Sequence, residues 1–402
     1  MTHDICFVTG SRAEYGLLKP LMDLFLADPA YRFSLIVTGS HLSPHHGLTY
    51  REIENDGIPV AYKVETQLAS DSACGVSKAV ALGIMGFAEI FFRKRPDLLI
   101  VLGDRTEIFA AVAAAHLAAV PVAHLHGGEV TAGAYDDALR HSITKMSRLH
   151  FASTEEYRRR VIQLGEQPES VFAVGALGVD NVLHTSLMEK DTLAQSLRIA
   201  FRKNNLLVTY HPVTLQPDAS LAHFKNLLAV LAEAAAGEDT LLIFTRPNAD
   251  AYGAPLNELL DGFLAEHPNR AAAFDSLGRV RYLSLMKYSD AVVGNSSSGI
   301  IEAPSMKVPT INIGDRQRGR VRDESVIDCD GSVPALRAAL GRALSAEFRD
   351  RLSSLRSVYG DGRSAERIKR IIESRLPGLT LMKTFYDCSD MGGPDPKSRD
   401  NA

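Results

Sequence analysis

The sequence predicts an α/β protein with two domains, each built on a parallel β-sheet. Three observations support this prediction. The chain has 402 residues, a length that suits about two to three domains of ordinary size. Short, almost continuously apolar segments alternate with longer amphipathic ones, as in parallel sheets covered by helices on both faces. This alternation occurs twice, before and after a polar, charged stretch at residues 182–204. We therefore predict domains at residues 1–183 and 184–363.

In the first half of the chain, the strand predictions rest on apolar runs that end in Gly, His or Ser. A helix is predicted after the first run, because leucines recur at helical spacing from Leu17 to Leu24 before Asp28-Pro29 stops the pattern. The predicted strands are DICFVTG, FSLIVTG, PVAYKV, DLLIVLG, PVAHLHG and LHFAS, with the helical segment TEIFAAVAAAHLAAV between the fourth and the fifth.

In the second half, the same reasoning predicts five strands and then a purely helical end. No strand signal follows about residue 330, where the helical patterns VPALRAALGRALS and SAERIKRIIESRL begin. Residues 386–402 are rich in polar residues, Gly and Pro, which predicts a disordered tail. The predicted strands are NNLLVTYHP, TLLIFTRPN, VRYLSL, DAVVGN and VPTINIG.

Composition excludes several classes of protein. With 44 basic and 48 acidic side chains, the formal charge is −4, so no basic excess exists for general binding of nucleic acid or membrane. The four cysteines are far apart and form no CxxC, which argues against a cysteine zinc site or a disulfide framework. No leader pattern and no apolar run of about 18 residues occurs, so we predict a cytoplasmic protein.

Residues that follow predicted strands are the candidates for a site, because ligands of open α/β sheets bind beyond the carboxyl ends of the strands. In two facing domains, the cleft between them is the expected location. Gly10-Ser11-Arg12 follows the first strand without a GxGxxG pattern, and the chain contains no P-loop. Arg12 suits bidentate contact with phosphate, or lies on the surface of a capped helix start.

Carboxylates follow the next strands. Asp104 comes directly after DLLIVLG. Its carboxylate could serve as a base, as a metal ligand or as the cap of the following helix. Glu129 ends HLHGGE, and Asp136-Asp137 follow shortly afterwards. The His-x-His at His124 and His126 could bind a metal, but no third ligand has zinc-site spacing. The alternative is a helix start at which acidic residues favour the helix dipole.

The second domain offers a histidine and two polar runs. His211 ends a strand before Pro212 and is either an acid/base group or structural. In residues 294–304, Gly-Asn-Ser-Ser-Ser-Gly precedes a helix, a pattern that indicates an anion site, most naturally for pyrophosphate, with Glu302 placed for ribose hydroxyls. Arg316, Arg318 and Arg320 follow another strand, where they could neutralise that pyrophosphate or form a solvated loop.

Seven motifs occur in one order along the chain: GSRAEYG, TGSHL, GDRTE, HLHGGE with DDALRH, YHPVT, GNSSSGIIEAP and GDRQRGR. Together they resemble the hydrolysing UDP-N-acetylglucosamine 2-epimerases of bacterial sialic-acid synthesis, over residues 4–375. The resemblance implies the glycosyltransferase-B architecture, in which two Rossmann-like domains face each other across a cleft. It also implies that a C-terminal helix at about residues 364–385 packs back on the first domain.

The resemblance implies hydrolysis of UDP-N-acetylglucosamine to N-acetylmannosamine and UDP. A base removes the proton at C2 while UDP leaves C1, and water adds to the resulting 2-acetamidoglucal. It implies no cofactor and no metal, a cytoplasmic location, and a homodimer or homotetramer. Alternatives are the same reaction on a UDP-2,4-diacetamido-2,4,6-trideoxyhexose, a non-hydrolysing 2-epimerase, a glycosyltransferase, or a UDP-sugar sensor without turnover.

The resemblance also assigns roles by matching position. Proton transfer at C2 is implied for Asp104 and Glu129, and holding of the sugar or water for Asp136, with Asp137 as its rival. One departure from the family is Leu17, which occupies the place of a lysine in many relatives. The full implied set has catalytic Asp104, Glu129, Asp136 and His211, and substrate-binding Arg12, Tyr282 (near uracil), Ser296, Ser297, Glu302, Arg316 and Arg320.

Overall fold

The chain forms two compact units in a computed structural model that describes residues 2–44, 47–68, 72–131, 136–213, 217–246 and 253–388. The first unit comprises Met1–Glu129, Ala138–Val174 and the chain from Ala365 onward; the second comprises Val130–Asp137 and Gly175–Ser364. The division thus falls between Val174 and Gly175, before the predicted boundary at residues 183–184. Most of the predicted tail lies outside the described residues.

The first unit contains a seven-stranded parallel sheet in the order β3-β2-β1-β4-β5-β6-β7. Its central strands are buried on both faces, which is why they are apolar throughout rather than alternating. The strands are β1 His3–Thr9, β2 Tyr31–Thr38, β3 Tyr62–Val64, β4 Leu98–Leu102, β5 Val122–Leu125, β6 Leu149–Ala152 and β7 Val171–Ala173.

Helices connect these strands, and several begin at a capping side chain. The Ser11 hydroxyl accepts from the backbone N–H of Glu14 at the start of α1, and Ser72 and Thr154 cap α3 and α6 in the same way. The helices are α1 Arg12–Leu26, α2 Tyr50–Asn55, α3 Ala73–Arg93, α4 Thr106–Leu117, α5 Asp136–Met146 and α6 Glu155–Gln163.

The second unit repeats this architecture with a six-stranded parallel sheet in the order β10-β9-β8-β11-β12-β13. Its strands are β8 Asn204–Thr209, β9 Thr240–Thr245, β10 Ala271–Phe274, β11 Ala291–Gly294, β12 Thr310–Ile313 and β13 Val326–Cys329. Its helices are α7 Leu177–His184, α8 Lys190–Leu197, α9 Pro217–Ala234, α10 Gly253–Glu266, α11 Gly278–Lys287, α12 Ser297–Ile301, α13 Val333–Leu344 and α14 Ala346–Leu352.

Both sheets reverse their strand order beside the first strand of the unit, at β1/β4 and at β8/β11. This is the order of doubly wound nucleotide-binding folds, whose ligands bind at that reversal. The prediction of two Rossmann-like α/β domains is therefore confirmed.

The predicted strand VRYLSL was wrong, because this segment lies in α11. The segment is a short apolar run, but it is helical, with Leu283, Leu285 and Met286 buried and Val280 exposed. Short apolar runs do not distinguish the two structures. The sequence interpretation also missed the short strands β7, β10 and β13.

Helix α3 packs against α4 and β3 in the first unit. Gly83 and Gly86 let it approach closely, since an added Cβ would lie 2.9 Å from Ala110 Cβ and 2.8 Å from a methyl of Val64. Among the described helices, α3 alone is long and apolar enough to cross a membrane by length and composition, with a mean hydropathy of 1.5. Phe87 and Phe91 pack into the core of the first unit, as in a helix that covers a sheet.

The chain ends on the first unit. Helix α15, Ser364–Arg375, places the ammonium of Lys369 2.5 Å from Asp28, and the side chain of Arg367 donates to the carbonyl of Val174. Farther on, Lys383 contacts the buried carboxylate of Glu166 at 2.7 Å. Charged contacts thus hold the C-terminal residues against elements that precede them by more than 190 positions.

Candidate active site

Asp104 lies in the turn between β4 and α4, where the sequence placed it at a strand end. Its carboxylate pairs with the guanidinium of Arg140 on α5. The side chain of Arg140 is 4% exposed and that of Asp104 is 19% exposed, so the pair is largely removed from water. An ion pair in such a place attracts more strongly than one on the surface. Sequence spacing gave no sign of the contact between Arg140 and Asp104.

Glu129 follows β5, the strand next to β4. Its carboxylate is buried and accepts a hydrogen bond from the hydroxyl of Ser153 at 2.9 Å. The same oxygen lies 2.8 Å from Nδ1 of His126. Sequence reasoning did not include His126 or Ser153 in the proton-transfer group, because neither contact is visible in a spacing pattern.

His124 belongs to the core of the first unit. Its ring nitrogens lie 2.8 Å from the carbonyl of Gly103 and 3.1 Å from the hydroxyl of Thr144. Burial lowers its pKa to about 3, so the imidazole is neutral at neutral pH. With both nitrogens engaged, His124 is not placed to share a metal with His126. No group of three or more His, Cys, Asp or Glu in the described part of the chain could hold a metal ion.

Asp136 and Asp137 open α5. The carboxylate of Asp137 accepts from the backbone N–H of Thr131 at 3.0 Å, which ties the helix start to the preceding loop. This contact gives Asp137 a local structural task.

Arg12 and a buried acidic cluster follow β1. Arg12 lies at the start of α1, with its guanidinium 3.3 Å from Glu52. One turn on, the carboxyl group of Glu14 turns back and accepts from the backbone N–H of Gly10 at 2.6 Å. Burial, with the nearby carboxylate of Glu107 as a smaller cause, raises the pKa of Glu14 to about 8. The sequence interpretation treated Glu14 and Glu107 only as parts of motifs.

The raised pKa of Glu14 predicts a pH effect on stability. Because the folded state disfavours the ionised carboxyl group, its contribution is complete below the ordinary pKa of 4.5 and is lost as the pH rises to about 8. We expect Glu14→Gln to flatten the fall in the free energy of unfolding over this range, a slope of up to about 1.4 kcal/mol per pH unit. Urea unfolding from pH 4.5 to 8 measures it. Glu54→Gln, at an exposed carboxylate, should leave the slope unchanged.

In the second unit, His211 follows β8 and is fixed through its backbone. Its N–H donates to the side-chain oxygen of Asn295 at 2.7 Å, and the Asn295 amide donates to the carbonyl of His211 at 2.8 Å. Burial, with the charge of Arg316 as a smaller cause, lowers the pKa of His211 to about 3. The imidazole is therefore neutral at neutral pH. Asn295, whose amide sets this position, was seen in the sequence only as part of the serine run.

The serine run connects β11 to α12. The Ser296 hydroxyl accepts from the backbone N–H of Ser298, and the Ser298 hydroxyl donates to the carboxylate of Glu302. Since α12 has only five residues, Ser297–Ile301, hydroxyls and backbone N–H groups outweigh any helix dipole here. Burial raises the pKa of Glu302 to about 7.

Three further predicted residues lie in this unit. Loss of water around the Tyr282 hydroxyl, with the nearby carboxylate of Glu302 as a smaller cause, raises its pKa to about 12. Arg316 donates to the carbonyl of Asn295 at 2.9 Å, beside the serine run. Arg320 donates to the carbonyl of Val130 at 3.1 Å. Most of the predicted residues thus follow a strand of their unit, whereas Tyr282 lies within α11 and Glu302 at the end of α12.

Comparison with known proteins gives a family match. A model described as UDP-N-acetylglucosamine 2-epimerase matches residues 25–373. The chain is 41% identical to "GDP/UDP-N,N'-diacetylbacillosamine 2-epimerase (hydrolyzing)" of Campylobacter jejuni, over 86% of this chain and 88% of that protein. It is 39% identical to "Polysialic acid biosynthesis protein P7" of Escherichia coli, over 95% of this chain and 97% of that protein.

Solved structures show the same fold. The UDP-GlcNAc 2-epimerase of Neisseria meningitidis bound to UDP-GlcNAc superposes with a TM-score of 0.77 at 16% identity, covering 92% of this chain and 100% of that one. A protein described as a UDP-N-acetylglucosamine 2-epimerase from Listeria monocytogenes gives a TM-score of 0.80 at 18% identity, covering 96% of this chain and 100% of that one.

Proposed function

The chain belongs to the UDP-N-acetylglucosamine 2-epimerase family, among its hydrolysing UDP-sugar members. We therefore propose that it converts UDP-N-acetylglucosamine to N-acetylmannosamine and UDP. The observation that carries the proposal is the pair of carboxylates, Asp104 and Glu129, at the carboxyl ends of the adjacent strands β4 and β5. Both lie in buried or half-buried surroundings suited to proton transfer.

The reaction needs groups that remove and return a proton at C2 of the sugar. The proton at C2 is weakly acidic and is removed only as the C1–O bond to UDP breaks. The electron pair of the C2–H bond then forms the C1=C2 double bond. Water then adds at C1 and a proton adds at C2 from the opposite face, which inverts that centre. We assign these transfers to Asp104 and Glu129, and the holding of sugar or water to Asp136, because Asp137 is engaged with Thr131.

UDP departs as an anion, and the second unit supplies groups for it. We assign pyrophosphate to Arg316 and the serine hydroxyls of Ser296 and Ser297, with His211 as a neutral hydrogen-bond donor until the anion raises its pKa. Glu302 would accept from ribose hydroxyls. The remaining assignments stay predictions from the resemblance. They place Tyr282 beside uracil, and Arg12 and Arg320 at phosphate.

A second candidate substrate is UDP-N,N'-diacetylbacillosamine. Two relatives that are 41% and 33% identical to this chain carry that substrate in their names. The chemistry at C1 and C2 is the same for both sugars, which differ at C4 and C6. The choice therefore depends on residues around C4 and C6, whereas the residues assigned above serve either sugar.

Proton NMR in D₂O, with each UDP-sugar in turn, tests the proposal. We expect free UDP together with a 2-epimerised sugar that carries deuterium at C2. The sugar with the higher kcat/KM is the substrate. Interconversion of UDP-sugars without free UDP would indicate a non-hydrolysing epimerase. Release of UDP that depends on an added acceptor would indicate a glycosyltransferase. Binding of UDP without turnover of either sugar would leave a UDP-sugar sensor.

Glu302→Gln should weaken UDP binding more than it slows turnover. The carboxylate accepts from the Ser298 hydroxyl, and a charged acceptor at a ribose hydroxyl contributes about 1.5–3 kcal/mol, or roughly 10- to 150-fold in Kd. Isothermal titration with UDP measures this change. Glu238→Gln, on the exposed surface of the same unit, serves as the control. A fall in kcat at unchanged UDP affinity would contradict this role.

A homodimer or homotetramer, a cytoplasmic location, and independence of metal and cofactor stay predictions. Light scattering coupled to size-exclusion chromatography measures the oligomeric state. Turnover after treatment with a chelator tests the independence of metal. For these assays the protein is kept as the full chain, because the first unit includes α15 and the residues after it.

A further inference from the structure

We propose that His126 is the residue that exchanges a proton with C2 of the sugar and that Glu129 positions it, an inference that rests on the proposed function. His126 directly follows β5, at the same end of the sheet as Asp104. Four features carry the inference: its backbone conformation, its contact with Glu129, its unpartnered second nitrogen, and the rigid loop that holds it.

The backbone at His126 adopts a conformation that favours glycine. Its φ is +63°, in the left-handed region, where a side chain has an energetic cost. Gly127 and Gly128 follow, and a glycine at position 126 would adopt this backbone conformation without strain. Residues held in such conformations cluster at active sites, where the surrounding structure maintains them. The backbone N–H of His126 donates to the carbonyl of Phe151 on β6 at 2.9 Å, which anchors the residue.

Glu129 orients the imidazole. Nδ1 of His126 lies 2.8 Å from Oε1 of Glu129, and the hydroxyl of Ser153 donates to the same oxygen at 2.9 Å. The side chains of His126 and Glu129 are 9% and 4% exposed. With the proton on Nδ1 donated to the carboxylate, Nε2 carries a lone pair and is the basic atom. The carboxylate also stabilises the imidazolium that forms when Nε2 takes a proton.

Nε2 of His126 is buried and has no hydrogen-bond partner among the residues that the structure describes. A buried polar atom without a partner is costly, and natural proteins keep such atoms chiefly where a ligand completes the contact. The unpartnered atom is the one that the glutamate contact makes basic. A substrate proton is therefore a fitting partner for it.

The loop around His126 is rigid. The guanidinium of Arg160 donates to the carbonyl of Gly128 at 2.6 Å. Gly128 has a φ of +79°, and an added Cβ would lie 2.4 Å from the carbonyl oxygen of Tyr157, so only glycine fits. Gly127 likewise lies close to Thr144 and His124. Positions fixed in this way keep a reacting group within a few tenths of an ångström of its working place.

His150 provides a structural comparison. Its Nε2 lies 3.0 Å from the buried carboxylate of Glu166, a pairing that resembles the one at His126. However, His150 lies inside β6 rather than after it, and Glu166 is shared with the ammonium groups of Lys145 and Lys383. That cluster ties the C-terminal residues to the first unit. His150 Nδ1 is also buried without a hydrogen-bond partner among the described residues, but it lies within a strand. The second nitrogen of His126 instead follows the end of β5, where ligands of such sheets bind.

The step balances with the groups at hand. Nε2 takes the C2 proton, the C2–H electron pair becomes the C1=C2 double bond, and the C1–O pair leaves with UDP. Inversion at C2 requires a second group that delivers a proton to the other face. Asp104, at the end of the neighbouring strand, is the group we assign to that face. In place of the direct proton transfer assigned to it under the proposed function, Glu129 then acts through His126 rather than on the sugar.

His126→Gly tests the inference, because glycine suits the backbone and leaves a space for free imidazole. We expect turnover to fall about 10²- to 10⁴-fold, the Kd for UDP to stay within about twofold of the wild type, and added imidazole to restore turnover saturably. Glu129→Gln should lower turnover in the wild-type background and change little in the His126→Gly background, since positioning has no effect without the imidazole. His150→Ala, the matched control, should lower stability and gain nothing from imidazole.

Two outcomes would overturn the inference while leaving the proposed function in place. One is a His126→Gly protein that keeps turnover within about fivefold of the wild type. The other is lost turnover that no imidazole restores although UDP still binds. If instead the wild-type protein releases no UDP from either UDP-sugar, the proposed function itself fails. The wild-type control in the same assay therefore separates the two.

Discussion

Asp104→Asn should lower turnover of the UDP-sugar about 10²- to 10⁴-fold, the range for loss of a positioned acid or base. Asparagine keeps the shape of the side chain but cannot carry the proton. The carboxylate lies at the end of β4 and pairs with Arg140, which fixes its direction toward the site. UDP release, measured by a coupled assay, gives the rate. UDP affinity should stay near the wild-type value, because Asp104 is not among the residues assigned to UDP and most of those residues lie in the second unit.

The control must separate chemistry from folding. Removing the Asp104 charge leaves the guanidinium of Arg140, whose side chain is 4% exposed, without its carboxylate. Breaking a buried pair in this way costs about 3–5 kcal/mol of stability. The double variant Asp104→Asn/Arg140→Gln should recover stability without recovering turnover. Asp23→Asn, in an exposed pair with Lys19, should change neither quantity by much. Turnover that returns with stability in the double variant would rule out a chemical role for Asp104.

Gly294→Ala should destabilise the second unit by roughly 4 kcal/mol or more, among the largest effects of a single substitution. Gly294 ends β11 with a φ of +136°, and an added Cβ would lie 1.9 Å from the carbonyl oxygen of Thr209 on β8. The neighbouring strand supplies backbone at this point, so no rotation of a side chain relieves the overlap. Either the two strands separate or the loop to the serine run moves.

Thermal and urea unfolding measure this effect, with UDP titration on any protein that still folds. The matched control is Gly262→Ala in α10 of the same unit, where an added Cβ meets nothing within 4 Å. Alanine there should raise stability by about 0.5–1 kcal/mol, because glycine is a poor helix residue. Wild-type stability and UDP affinity in Gly294→Ala would contradict the close contact between β8 and β11.

Most strands of the fold could be predicted from the sequence, since a strand buried on both faces must be apolar throughout. β4 and β5 are examples, with every residue buried. Prediction failed where a segment is short. VRYLSL is a short apolar run that suits either structure, and packing of Leu285 and Met286 against the second sheet decides that it is helical. β7, β10 and β13 have three, four and four residues, too few to show a pattern.

The candidate site divides in the same way. Strand-end positions identified Asp104, Glu129, His211 and the serine run, because in a parallel sheet the end of each strand is the edge where ligands bind. Contacts between such ends were not predictable. Asp104 meets Arg140 across 36 positions, and Glu129 meets Ser153 across 24. Distances of this kind follow from which strands are neighbours, and strand order is a property of the whole sheet.

The sequence by itself determined the two-domain α/β class, the motif order that marks the family, and the residue types at the strand ends. These follow from local rules: apolar periodicity, turn residues and capping. Only the tertiary structure decided the protonation and partners of those residues. Burial sets Glu14, Glu302 and His211 far from their ordinary pKa values, and the fold alone removes water from them. The left-handed backbone at His126 and its contact with Glu129 are likewise set by the surrounding chain, because a local sequence specifies neither.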